Sequence, residues 1–211
     1  MRIILASASP RRKELLKKLF PDFEVIPAKG TEVYTKQHPS EIVQELSGQK
    51  AAEIEQTLYG MADTAQKAAD IIYEQSRDYL ILGADTVVAL RDQILGKPRD
   101  VSHAKEMLRM LAGNVHQVYT GVTLIIVLHG KRQCIEFAEC THVRFYPMTD
   151  AEIEAYVRSG EPMDKAGSYG IQGLGGRFVQ GIDGDYQNVV GLPTARIYQV
   201  LKKIDEIALP F

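Results

Sequence analysis

The sequence predicts an α/β fold built around a mixed sheet, and three observations carry that expectation. Short apolar runs alternate with amphipathic stretches along the whole chain, no repeat or low-complexity tract breaks the alternation, and no shift in composition marks a linker. At 211 residues there is chain enough for one large domain with a sizeable core. The organisation expected is a single domain over residues 1–211, in two lobes that share one sheet.

The elements follow in order. Arg2 to Ser7 is a short apolar strand, and Pro10 to Leu19 an amphipathic helix whose N-cap is Ser9 and whose first helical position takes Pro10, where the missing N–H is not needed. A strand near 23–27 and a loop containing Gly and Lys lead to a long helix opened by Pro39-Ser40-Glu41. Gly60 interrupts it, and Ala62 to Arg77 reads as a second helix with an apolar stripe through Ala65, Ala68, Ala69 and Ile72. Residues 79–84 form a buried strand, Val87 to Leu90 continue its pattern, and Arg91-Asp92-Gln93 turn the chain. Ser102 is the expected cap of a helix to Leu111, and the runs 115–128 and 133–146 flank His129-Gly130-Lys131 as a long hairpin. Thr149 and Glu152 have capping-box spacing, residues 160–191 are glycine-rich and loop-like, and a last helix spans 193–207.

Composition narrows the function. Values of 45% hydrophobic and 25% charged residues are ordinary, and a formal charge of −2 argues against a general nucleic-acid binder, so any anion site is local. Cys134 and Cys140 are too few for a disulfide framework and match neither zinc-knuckle nor redox spacing. No apolar run approaches the ~20 residues that span a bilayer, and the apolar N-terminus is too short for a signal peptide. A cytoplasmic protein without membrane contact is the expectation.

Three stretches carry chemistry. In Ser7-Ala8-Ser9-Pro10-Arg11-Arg12 a capped helix start offers free N–H groups and the positive end of its dipole, with two arginines beside it. That describes an anion site, and equally a capped helix with two solvated arginines. In Gly83-Ala84-Asp85-Thr86-Val87-Val88 a carboxylate interrupts an apolar strand; buried, it needs a cation, hydrogen bonds or a metal. An Asp satisfying backbone N–H groups at a strand end is the competing reading. Lys97, in Gly96-Lys97-Pro98, is within plausible reach of a polyanion there and would otherwise be a surface charge. The third stretch, Asp164 to Gly176, has enough glycine for backbone to approach a ligand, or for a cluster of tight turns. It fits no dinucleotide-binding or P-loop pattern.

Together these stretches resemble one family, the Maf proteins, nucleoside triphosphate pyrophosphatases also described as septum formation inhibitors. The resemblance runs through Leu5 to Arg12, Gln49-Lys50-Ala51, Gly83 to Thr86, Gly96-Lys97-Pro98, His116 to Gly121 and Gly160 to Gly167. It implies an elongated mixed sheet with flanking helices in two lobes, a nucleotide cleft between them, and a homodimer. It further implies hydrolysis of a nucleoside triphosphate between the α- and β-phosphates with water as nucleophile and a divalent cation, Mg²⁺ or Mn²⁺. By resemblance Asp85 is the proton acceptor or a metal ligand, Glu32 a metal ligand, and Ser7, Ser9, Arg11, Arg12, Lys50 and Lys97 bind the phosphates, work that is chiefly positioning and charge neutralisation. The family often has two adjacent acidic residues where this chain has Thr31-Glu32, so one is missing.

Subfamilies differ at the positions of Arg12, Thr86 and Gln172, and Asp-Lys-Ala-Gly-x-Tyr-x-Ile-Gln-Gly resembles the members acting on dTTP and UTP. A Gln amide offers a donor and an acceptor side by side, complementing O4 and N3–H of uracil or thymine. The connection from Thr57 to Arg77 is longer than the family's usual one and implies an extra helical insertion over about 57–77. A nucleotide-binding regulator of septum formation and cell division without turnover is the alternative function.

Overall fold

The computed structural model describes residues 1–60, 78–91, 93–204, 207 and 209. Among them, seven strands form one mixed sheet. These are β1 (Arg2–Leu5), β2 (Glu24–Val25), β3 (Tyr79–Leu90), β4 (Gln93–Leu95), β5 (Val115–Leu128), β6 (Lys131–Phe145) and β7 (Val179–Asp183). Their order is β2-β1-β3-β5-β6-β7, with β4 paired to β3. β1 runs parallel to β2 and β3, whereas β4 on β3 and β7 on β6 are antiparallel. β5 and β6 are joined at His129 and Gly130, with φ of 49° and 75°, the left-handed pair that suits a two-residue hairpin. No helix of the described residues is long and apolar enough to cross a membrane.

The chain divides into two compact units, the first made of Met1–Asp85, Gly121–Ala138 and Thr194–Phe211, the second of Thr86–Thr120 and Glu139–Pro193. In the first unit, α1 (Pro10–Leu16) starts as its sequence predicts, with the Ser9 hydroxyl accepting from the Arg12 amide. Helix α2 (Pro39–Tyr59) has Gly60 as its C-cap; the helix predicted over 62–77 lies outside the described residues. One face of α2 buries Ile42, Val43, Leu46, Ala51 and Ile54, the last two packed with Ile4, Ile81 and Ile125 of the strands. At two points its backbone rests directly on the sheet, since a Cβ added to Gly83 would overlap the Ser47 carbonyl and one added to Gly121 the Val43 carbonyl. Both strand positions require glycine for that close approach.

In the second unit, α3 (Val101–Leu111) and α4 (Asp150–Arg158) bury Met107, Leu108, Leu111, Ile153 and Val157 against Val143 and Phe145 of β6. The cap of α3 is Asp100, whose carboxylate accepts from the His103 amide at 2.8 Å. It is not Ser102, because the helix has already begun at Val101. Thr149 and Glu152 close the capping box as their spacing predicts. Beyond α4 come three short 3-10 turns, at Glu161–Asp164, Ala166–Ser168 and Leu174–Phe178, then β7 and a single-turn helix α5 (Tyr186–Val190). The last helix, α6 (Thr194–Leu201), belongs to the first unit and ends earlier than the predicted 207. β3 runs unbroken from 79 to 90 through Asp85, as the continued apolar pattern of Val87 to Leu90 predicts.

Candidate active site

The first unit carries seven of the residues singled out in the sequence: Ser7, Ser9, Arg11, Arg12, Glu32, Lys50 and Asp85. Asp85 sits on β3 at 8% exposure, a degree of burial at which an ionised carboxylate requires compensation. The compensation is Lys50, whose Nζ lies 2.6 Å from Asp85 Oδ1 and 2.7 Å from Glu32 Oε1. One ammonium thus joins two carboxylates from separate segments. Lys50 reaches Asp85 because it precedes Ala51, on the stretch of α2 that the missing Cβ of Gly83 admits to the sheet.

Beside them, Ser7 and Ser9 shape the start of α1. Ser7 Oγ, nearly buried, accepts from the Ser9 amide at 3.3 Å and from Arg12 Nη1 at 3.1 Å. Burial pulls the Arg12 guanidinium below its ordinary range, Asp85 opposes that pull, and the charge of Arg11 adds to it. Arg12 is therefore a desolvated cation in the electrostatic field of Asp85 and Glu32.

Glu32 lies on a loop without regular structure, and the loop is fastened by side chains of which the sequence pattern named only Gln49, within the Gln49-Lys50-Ala51 stretch. Glu53 accepts from the Lys29 and Gly30 amides at 2.7 and 3.0 Å. Gln49 exchanges hydrogen bonds with both backbone groups of Val33. Glu45 accepts from the Thr35 amide and hydroxyl at 2.9 and 3.1 Å, and the Thr35 amide holds its carboxyl below the usual carboxylate range. Residues 45, 49 and 53 recur at the four-residue spacing of one helix face. That polar stripe on α2 was the available signal.

The second unit carries Thr86, Lys97 and Gln172. Thr86 Oγ1 lies 2.9 Å from Thr120 Oγ1, and Thr120 donates to the Asn188 carbonyl at 3.0 Å. Asn188, fully buried, donates in turn to the Val118 carbonyl and Thr141 Oγ1. Lys97 is exposed in the turn before α3, and its neighbour Gly96 accepts from the Gly167 amide at 3.1 Å. That bond ties the Lys97 turn to the glycine-rich segment. His116, fully buried, shares a 2.9 Å hydrogen bond through Nε2 with the Tyr169 hydroxyl, and burial drives its ring down to about 4. Several glycines of this segment serve its own packing: a Cβ at Gly173 would meet the Glu161 carboxylate, and one at Gly176 the Ile171 carbonyl. Gln172 is exposed among them.

Chemically, the first unit offers two carboxylates, an ammonium and a desolvated guanidinium within one cluster, and the second an exposed lysine and an exposed amide on linked turns. No group of three or more His, Cys, Asp or Glu side chains gathers as metal ligands among the described residues. Asp85 and Glu32 nevertheless present hard oxygen donors on either side of a positive charge, and Mg²⁺ is commonly held by one or two carboxylates with phosphates and water completing its shell. The donor set fits such a cation.

The sequence profile of the family described as Maf-like protein matches residues 2–204. The chain belongs to the Maf family. Among curated relatives, it is 52% identical over 205 residues to a protein of Agathobacter rectalis named dTTP/UTP pyrophosphatase, covering 96% of this chain and 97% of that one. It is 48% identical over 203 residues to the dTTP/UTP pyrophosphatase of Carboxydothermus hydrogenoformans, covering 96% and 98%. The dTTP/UTP pyrophosphatase of Bacillus cereus strain B4264 is 45% identical over 205 residues, covering 97% and 96%. The Maf matches embrace both units.

Proposed function

We propose that this protein hydrolyses dTTP and UTP to the nucleoside monophosphate and pyrophosphate. The observation that carries the reading is the Lys50 ammonium held between Asp85 and Glu32, supported by near full-length relatives named for that activity. Water attacks the α-phosphorus, forming the new P–O bond as the bond to the bridging oxygen of the β-phosphate breaks and pyrophosphate leaves. Asp85 accepts the water's proton. Arg11, Arg12, Lys50, Lys97 and the hydroxyls of Ser7 and Ser9 hold the phosphate chain, whose transfer depends mainly on positioning and charge neutralisation. Asp85 and Glu32 would be the oxygen donors to Mg²⁺ or Mn²⁺. When bound, that cation supplies charge stabilisation on the phosphate oxygens. Gln172 reads the O4 and N3–H edge of the pyrimidine, and Arg12 and Thr86 complete selection.

The test is a panel of nucleoside triphosphates incubated with purified protein and Mg²⁺ or Mn²⁺, with monophosphate, pyrophosphate and orthophosphate measured separately. Pyrophosphate release fastest from dTTP and UTP is expected. Orthophosphate as first product would move the chemistry to the γ-phosphate, and tight nucleotide binding with no product would favour a non-catalytic regulator of cell division. Asp85→Asn should abolish turnover while retaining nucleotide binding; undiminished activity would remove Asp85 from the reaction. A homodimer in the cytoplasm, with no nucleic-acid partner, belongs to the same proposal, and sedimentation of the purified protein tests the dimer.

A further inference from the structure

The turn that bears Gln172 is gripped on both sides by two residues with no role in the chemistry above. Glu161 opens the first 3-10 turn, and its carboxylate faces the stretch just after Gln172. Oε2 accepts from the Leu174 amide at 2.8 Å and Oε1 from the Gly175 amide at 3.1 Å. Tyr156, on the last turns of α4, donates its hydroxyl to Glu161 Oε1 at 2.8 Å, and the same hydroxyl oxygen accepts from the Gly170 amide at 3.1 Å. The chain is therefore pinned two residues before Gln172 and two to three residues after it. Between the pins, the Gly173 amide closes the turn on the Gly170 carbonyl at 3.3 Å.

Packing leaves the clasp little play. A side chain at Gly173 would run into the Glu161 carboxylate, and one at Gly175 into the Tyr156 hydroxyl and the Gly170 backbone. The grip is also electrostatically sound. Burial pushes the Glu161 carboxyl up, but the Leu174 and Gly175 amides and the Tyr156 hydroxyl outweigh burial and hold it below the ordinary carboxylate range. A carboxylate has about four lone-pair positions, enough to accept all three donors at once; an amide has one accepting oxygen. Gln172 is exposed, with Gly173 and Leu174 after it, in a turn whose two ends are fixed.

We propose that Glu161 and Tyr156 form a clasp that fixes the presentation of the Gln172 amide, making Glu161 a positioning residue for selection of the pyrimidine base. The inference rests on the reading of Gln172 as the group that meets the base, and it assigns no contact with substrate to Glu161. A loosened turn would spread the amide over several orientations, weakening a two-point match to the base while leaving the phosphate chain held as before.

The experiment compares kcat/KM for dTTP with that for CTP in the wild type, Glu161→Gln, Gln172→Ala and the double variant. Inhibition by inorganic tripolyphosphate reports phosphate-chain binding independently, and thermal melting reports folding. Glu161→Gln should lower the dTTP-to-CTP ratio by about tenfold, the worth of one well-made hydrogen bond, mainly through KM for dTTP. Tripolyphosphate inhibition should change by less than about twofold, and in the Gln172→Ala background the substitution should barely move the ratio, because coupled residues do not add. Tyr156→Phe removes only the hydroxyl and should shift the ratio in the same direction, which covers the case of a Glu161→Gln protein that fails to fold. An unchanged ratio in a folded variant, an equal loss for both nucleotides, or full additivity with Gln172→Ala overturns the proposal. A wild type that releases no pyrophosphate from any nucleotide refutes the hydrolase itself, whereas Gln172→Ala with wild-type selectivity refutes base reading and the clasp's purpose with it.

Discussion

Replacing Gly83 with alanine should disable the site from a position that touches none of its polar groups. A Cβ there would lie 3.0 Å from both the Ala51 Cβ and its backbone N, and closer still to the Ser47 carbonyl oxygen. Unstrained carbon contacts need ~3.5–4.0 Å, so α2 must retreat from β3 by about 1 Å. Overpacking of this kind costs about 1–3 kcal/mol, and a loss near ~2 kcal/mol would lower Tm by roughly 4–8 °C in a chain of this size. The catalytic penalty should be larger than the stability loss suggests. Lys50 precedes Ala51 on the displaced stretch, so its 2.6 and 2.7 Å contacts with Asp85 and Glu32 open together, and a misplacement of ~1 Å can cost on the order of 10²-fold in rate. Pyrophosphate release under saturating dTTP, measured well below the variant's own melting temperature, separates misplacement from unfolding. A Gly83→Ala protein that melts several degrees lower yet turns over at the wild-type rate would refute the claim that helix-to-strand contact sets the lysine–carboxylate geometry.

Two further perturbations test other links. Gln49→Ala removes the side chain that exchanges hydrogen bonds with the Val33 backbone, one residue from Glu32; the Mg²⁺ concentration needed for half-maximal activity should rise roughly tenfold, as when partners that orient metal ligands are lost, while Tm moves little because these bonds are exposed. An unaltered Mg²⁺ requirement would detach the loop's fastening from metal binding. Burial holds His116 at about 4 against ~6.5 in the unfolded chain, so the unfolded state takes up a proton first as pH falls. The neutral folded form carries no penalty above pH ~6.5, and the loss grows between ~6.5 and ~4 to about 3 kcal/mol. Wild-type Tm should accordingly fall more steeply than that of His116→Gln over this range; parallel curves would show that the ring titrates normally.

Legibility in the sequence followed the range of the interaction. The start of α1 at Ser9-Pro10, the α4 capping box, the limits of β5 and the opening of α2 at Pro39 depend on residues within a turn of one another, and the structure has them where local pattern put them. Asp85 was legible as a carboxylate in need of a partner because its neighbours are apolar. That the partner is Lys50, 35 residues away, depends on which helix rests on β3, and no local pattern encodes that. The cap of α3 was misplaced for a local reason: Asp100 and Ser102 are both good caps, and only the helix's actual start at Val101 separates them. Glycine density from 164 to 176 is compatible with a ligand cradle or with a cluster of tight turns, and Gly173, Gly175 and Gly176 are needed because backbone and side chains of the same segment crowd them.

Helix α2 links the fold to the candidate site. Its apolar face binds the sheet, Lys50 at the margin of that face joins Asp85 to Glu32, and Glu45, Gln49 and Glu53 tether the loop on which Glu32 rides. Asp85, Lys50 and Glu32 are consequently fixed by one helix inside one compact unit. The turn of Gln172 owes its shape to α4, Glu161 and the His116–Tyr169 bond, all in the other unit with its own core. Substitutions that shift α2 should therefore depress turnover of every nucleotide together, whereas those that loosen the 170–175 turn should reorder nucleotides with the phosphate chemistry intact. Asp85, Lys50 and Glu32 belong to one compact unit and Gln172 to the other, which is why the two groups are expected to differ in mutational signature.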